Sequence, residues 1–140
     1  MDMNKRIIAT VAALGLAIAG CGSSEDESFK RDFNAAQAPL EKLLSESGSA
    51  ASDPAQMGKI ADGLSDTAKK MEALDAPDDA QDELDAFVKE VNASADTMRE
   101  AQKAMEDKDL EKMTSILTDL QERMTAVGNA QQKLAEVVNG

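Results

Sequence analysis

The sequence predicts an all-α protein, an antiparallel helical bundle of about four helices. Three observations carry that expectation. Strong helix formers dominate: Ala, Leu, Met, Lys, Glu, Gln and Asp prevail, β-branched residues are sparse, and aromatic residues are 2% of the chain. Apolar residues recur at three- and four-residue steps, the period of one helix face. Turn signals, marked by Pro, Gly, Ser and Asp, separate the periodic stretches.

The chain opens on a different pattern. Lys5 and Arg6 precede a run without charge, residues 7–20, which ends in Ile18-Ala19-Gly20-Cys21. A basic start, an apolar middle of about 7–15 residues and small residues before a cut are the parts of a secretory signal. A membrane-spanning helix needs about 20 apolar residues, so this run is too short, and Gly15 and Gly20 weaken it as a helix. Asp2 is an unusual acid in such a basic region, and translation from Met3 would remove it. Residues 22–28, a polar stretch after Cys21, read as a tether that reaches about 24 Å at most when extended.

The first helix is expected over 28–44. Phe29, Phe33, Ala36, Leu40 and Leu43 with Leu44 share one face, and Pro39 should kink it. Residues 45–52 have the composition of a flexible linker. Asp53-Pro54 reads as an N-cap followed by proline at the first helical position. The second helix then runs to 74 with the stripe Met57, Ile60, Ala61, Leu64, Ala68, Met71 and Leu74. Pro77 is expected to begin the third helix, which continues to 106 over Leu84, Phe87, Val88, Val91, Ala95, Met98, Ala101 and Met105. Asp109 is the expected N-cap of the fourth helix, residues 110–138. Leu110, Met113, Leu117, Leu120, Met124, Val127, Gln131, Leu134 and Val138 give that helix a 3.5-residue seam, interrupted only at Gln131. Asp66–Lys70, Asp85–Lys89 and Asp119–Arg123 are i,i+4 pairs with the acid first. Short turns between amphipathic helices favour antiparallel neighbours.

Ile18-Ala19-Gly20-Cys21 resembles the lipobox of bacterial lipoprotein signal peptides: a branched aliphatic, two small residues, then cysteine. The resemblance implies cleavage between Gly20 and Cys21 and a diacylglycerol on the Cys21 thiol. It also implies an N-acyl chain on the new amino terminus. One acyl chain holds a protein marginally, whereas two or three hold it stably. Cys21 is the sole cysteine, so no intramolecular disulfide forms, and lipidation explains a lone thiol in an exported chain. The domain organisation is then a signal peptide over 1–20, a lipidated tether over 21–28 and a helical bundle over 29–140.

Beyond the lipobox, Phe29-Lys30, Phe33-Asn34, Pro39-Leu40 and Leu74-Asp75-Ala76-Pro77-Asp78-Asp79 make the chain similar to a group of small helical lipoproteins of bacterial envelopes, mostly of unassigned function. The likeness spans most of the chain, but only the lipobox is a specific motif. It implies a location in the cell membrane or outer membrane, facing the extracytoplasmic side. Gly22 does not obstruct outer-membrane sorting by that likeness. The ending Asn139-Gly140 departs from the small lipoproteins that attach to peptidoglycan through a terminal lysine.

Charge and residue types exclude several functions. The chain has 15 basic and 27 acidic residues, a net charge of −12. Losing residues 1–20 removes Lys5, Arg6 and Asp2, which leaves 13 basic and 26 acidic residues and a charge of −13. Nucleic acid is therefore not an expected partner, because phosphates demand a basic face. Electrostatic adhesion to an anionic bilayer is opposed as well. With no histidine, Ser–His and Cys–His catalysis and Glu-x-x-His di-iron sites cannot be built. The expectation is a protein that is not an enzyme, with no catalytic residue, no cofactor and no metal ligand.

Two features offer binding chemistry. The acids Asp75, Asp78, Asp79, Asp82, Glu83 and Asp85 supply oxygen ligands for Ca²⁺ but lack the spacing and glycine of an EF-hand. Acids at a helix start account for them more simply. Met57, Met71, Met98, Met105, Met113 and Met124 fall on core stripes, where methionine fills irregular gaps. The expected role is an interaction or structural module at the envelope, binding a protein partner or a further copy of itself. The alternative is a small-ligand or lipid carrier with its pocket among loosely packed helices, suggested by the methionines and by Gly58, Gly63 and Gly128.

Overall fold

The computed structural model describes residues 24–46 and 53–139. Among them are four helices and no strand: α1 (Ser24–Glu46), α2 (Pro54–Glu72), α3 (Gln81–Glu106) and α4 (Leu110–Asn139). The all-α bundle is thus observed. The apolar run, Gly20, Cys21, the linker and the Leu44 side chain lie outside the described residues.

α1 begins at Ser24, four residues earlier than its apolar stripe suggested. Much of the expected tether is therefore the first turn of a helix. Glu25, Asp26 and Glu27 occupy that turn, where the positive end of the helix dipole favours acids. α1 continues through Pro39, which lies on its exposed side. Asp53 caps α2 as expected, accepting the Ala55 amide at 3.0 Å, with Pro54 in the first turn. α3 begins at Gln81 rather than Pro77. The Pro77 carbonyl accepts the Ala80 amide at 2.8 Å, closing a turn through Asp78 and Asp79. Aspartate is a weak helix former, and the turn drives fully buried Ala80 into the core.

The connection between α3 and α4 is a tight C-cap. The Asp109 amide bonds the Ala104 carbonyl at 2.9 Å and the Lys108 amide bonds that of Met105 at 3.1 Å. This is the Schellman arrangement, with Lys108 at φ 55 where glycine is usual. Asp109 then caps α4 by accepting the Lys112 amide at 3.0 Å.

α2 lies along α3 and α3 along α4, while α1 rests mainly on α2 over a shorter interface. Two apolar clusters result. The larger joins all four helices around Phe33, Phe87, Met71, Leu84 and Leu134. The Phe33 ring bridges Phe29 and Phe87 at centroid distances of 5.8 and 5.6 Å, tilted against both. The smaller cluster holds Met57, Ala101, Ala104 and Ile116, with Met105, Met113 and Leu120 packed against it. Among the described residues, those of this cluster come from α2, α3 and α4.

The expected i,i+4 ion pairs are replaced by other partners. Asp66 meets Lys69 at 4.0 Å, Asp85 accepts from Gln81 at 2.8 Å, and Arg123 reaches across to Glu90 on α3 at 3.5 Å. Exposed pairs contribute little to stability, so the choice among them is weakly constrained.

Candidate functional surfaces

Gly20 and Cys21, where the lipobox resemblance would place cleavage and lipidation, lie outside the described residues, which begin three positions after Cys21. Three residues span about 11 Å at most. The end of the bundle nearest that cysteine holds the start of α1, the turn between α2 and α3, and the C-terminus of α4. Glu25, Asp26, Glu27, Asp75, Asp78, Asp79, Asp82 and Glu83 surround this end. Among the described residues no three acidic side chains converge in a way that would hold a metal ion.

Five of the six methionines sit in or against the two apolar clusters as their spacing suggested, and Met124 belongs to neither. Met57 and Met71 are buried, and Met98, Met105, Met113 and Met124 are half-buried. Two of the three helical glycines have close neighbours. A Cβ at Gly63 would overlap Leu43 of α1, and one at Gly58 would stand 2.8 Å from Gln102 Oε1. The missing Cβ at Gly63 therefore leaves room for Leu43 of α1. Gly128 faces open space.

α4 departs most from expectation. Its 3.5-residue seam does not remain on the core. Leu110 is 79% exposed and Leu117 is 55% exposed, whereas Gln131 and Val138, at the same heptad position, are buried. Met124 lies between these extremes, half-buried. A straight α-helix rotates a seven-residue repeat by about 20° per heptad, so the seam starts beside the core and drifts onto it. Ile116, one residue before Leu117, takes the core position instead. The signal for Ile116 was a 3.6-residue count back from Val127 and Leu134.

Sequence patterning also missed the buried polar residues Lys30, Gln37, Thr67 and Ser94. Lys30 and Gln37 are two turns apart on one flank of α1, beside the phenylalanine stripe. Lys30 and Gln131 each have an interaction partner, but Gln37 Nε2 is buried without a hydrogen-bond partner. Ser94 donates to the Glu90 carbonyl at 2.9 Å, which explains how a serine sits inside α3.

Two open depressions mark the outer surface. One, of about 510 Å³, lies between α2 and α3 beside Glu72, Asp85, Lys89 and Asp96. The other, of about 500 Å³, lies between α3 and α4 beside Glu90, Glu100, Asp119, Glu122 and Arg123. Neither has a methionine in its lining. No helix among the described residues is long and apolar enough to cross a membrane. No protein-family model matches the chain, and neither a curated protein nor a solved structure matches it.

Proposed function

We propose that this chain is a lipid-anchored helical-bundle protein of the bacterial cell envelope. Diacylglycerol and N-acyl chains on Cys21 hold it to the extracytoplasmic side of a membrane, and the bundle acts as an interaction or structural module. The observation that carries the reading is the order Lys5-Arg6, a charge-free run, then Ile18-Ala19-Gly20-Cys21. The acyl chains supply the adhesion that an acidic bundle cannot supply through its surface. The start of α1 close behind Cys21 suits a domain held near the bilayer by one end.

Metabolic labelling with a clickable fatty acid tests the anchor. The mature chain is expected to carry the label and to fractionate with membranes, and Cys21→Ser is expected to lose both. An unlabelled mature chain, with a Cys21→Ser variant that fractionates as the parent does, would overturn the proposal.

A further inference from the structure

We propose that Met105 and Met113 form a peroxide-responsive modification site. Their conversion to sulfoxides releases the start of α4 from α3 and exposes Met57 as the next sulfur to react. Nothing in this depends on what Cys21 carries.

The two apolar clusters differ in what fills them. The larger contains Phe29, Phe33, Phe87, Leu84 and Leu134, and Met71 within it is fully buried. Among the described residues, the smaller cluster contains no aromatic ring. Two of its members are alanines, and Met57, Met105 and Met113 stand among the larger side chains with Ile116 and Leu120. Thioethers therefore supply much of its packing. Met105 and Met113 are half-buried, so dissolved peroxide reaches side chains that also hold the cluster together. Met57 is only 6% exposed, and the closed cluster shields it.

The start of α4 has few other apolar attachments. Leu110 and Leu117 face solvent, which leaves Met113, Ile116 and Leu120 to pack residues 110–120 against the smaller cluster. The ion pair of Arg123 with Glu90 lies beyond this stretch. Further on, Val127, Ala130, Leu134 and Val138 tie the rest of α4 to the larger cluster. A segment with few buried contacts opens locally while the remainder of a domain stays closed.

The oxidation balances with hydrogen peroxide alone. A lone pair of the thioether sulfur attacks one peroxide oxygen, and the S–O bond forms as the O–O bond breaks. The sulfur gives up two electrons. The departing hydroxide takes the proton from the transferred oxygen and leaves as water. The product sets a polar S=O group where an apolar thioether packed. Burying that oxygen without a donor is unfavourable, and the Met, Ala, Ile and Leu side chains of the cluster donate no hydrogen bond. The oxidised side chains therefore turn to water. Ile116 and Leu120 then keep only Met57 and two alanine methyls as partners in the cluster. A short helical stretch without tertiary support frays, and the Met57 sulfur meets solvent.

Peroxide treatment of the full mature chain tests this, with peptide mass spectrometry at each methionine and amide hydrogen exchange along the helices. Met105 and Met113 should oxidise early, Met57 should follow after a lag, and Met71 should stay reduced. Exchange over residues 111–120 should rise about tenfold or more, while residues 84–95 and 127–138 keep their protection. Met105→Leu with Met113→Leu keeps the apolar volume without the sulfurs. In that variant Met57 should oxidise about tenfold more slowly, and peroxide should leave exchange over 111–120 unchanged. Met124→Leu, outside both clusters, should behave as the parent does. Circular dichroism before treatment checks the fold of each variant, and if the double variant does not fold, exchange in the parent decides. Sulfoxides at Met105 and Met113 with unchanged exchange over 111–120 would overturn the proposal. So would Met57 reacting without a lag, or Met105 and Met113 staying reduced while Met71 oxidises.

Discussion

Truncating the α4 seam residue by residue should reveal a gradient that a regular heptad would not produce. Leu134 is fully buried in the four-helix cluster. Leu134→Ala should therefore cost about 2–5 kcal/mol, the lost transfer energy plus the cavity left behind. Leu117 is 55% exposed, so less than half of its side chain leaves water on folding. A fully buried leucine gains about 1.5–3 kcal/mol, and Leu117→Ala should therefore cost about 1 kcal/mol. Leu110 is 79% exposed. Its truncation should cost under about 0.5 kcal/mol, partly offset by the higher helix propensity of alanine. Urea unfolding followed by far-ultraviolet circular dichroism measures all three. A native domain holds only about 5–15 kcal/mol in total, so the Leu134 variant should show a clear drop in midpoint. Equal losses at Leu110, Leu117 and Leu134 would refute the drift of the seam. They would mean that α4 is evenly buried along its length.

Three further outcomes are expected from the same assay. Gly128→Ala should stabilise the chain by about 1 kcal/mol, since nothing opposes the new methyl. Gly63→Ala should gain less or turn destabilising, because Leu43 must move, and Leu43→Ala should restore the benefit in the double variant. Replacing buried Gln37 with leucine removes an amide whose nitrogen has no partner. The variant should be more stable by about 1 kcal/mol or more, and a loss would show that the amide is satisfied in solution.

Much of the architecture was legible in local signals. Asp53-Pro54 and Asp109 marked helix starts because caps act through their own neighbouring amides. The stripes Phe29–Phe33–Leu40 and Leu84–Phe87–Val91 gave the core faces because each is set by helical period alone. The boundary shifts arose where turn chemistry competes with helix. Asp78 and Asp79 read as helix-start acids, yet the chain turns first so that Ala80 can bury. The buried amide of Gln37 carried no signal, because burial on a helix flank depends on what packs beside it.

The residues themselves determined the helical class, the capped starts, the acidity and the lipobox-like segment, since each depends on neighbours within a few positions. Tertiary structure decided how far α1 reaches along the others, why Gly63 is small, and which half of α4 is covered. Those outcomes depend on how a straight helix of 3.6 residues per turn carries a 3.5-residue pattern past neighbours of unequal length. That mismatch leaves Leu110 and Leu117 in water and places Leu134 and Val138 in the core.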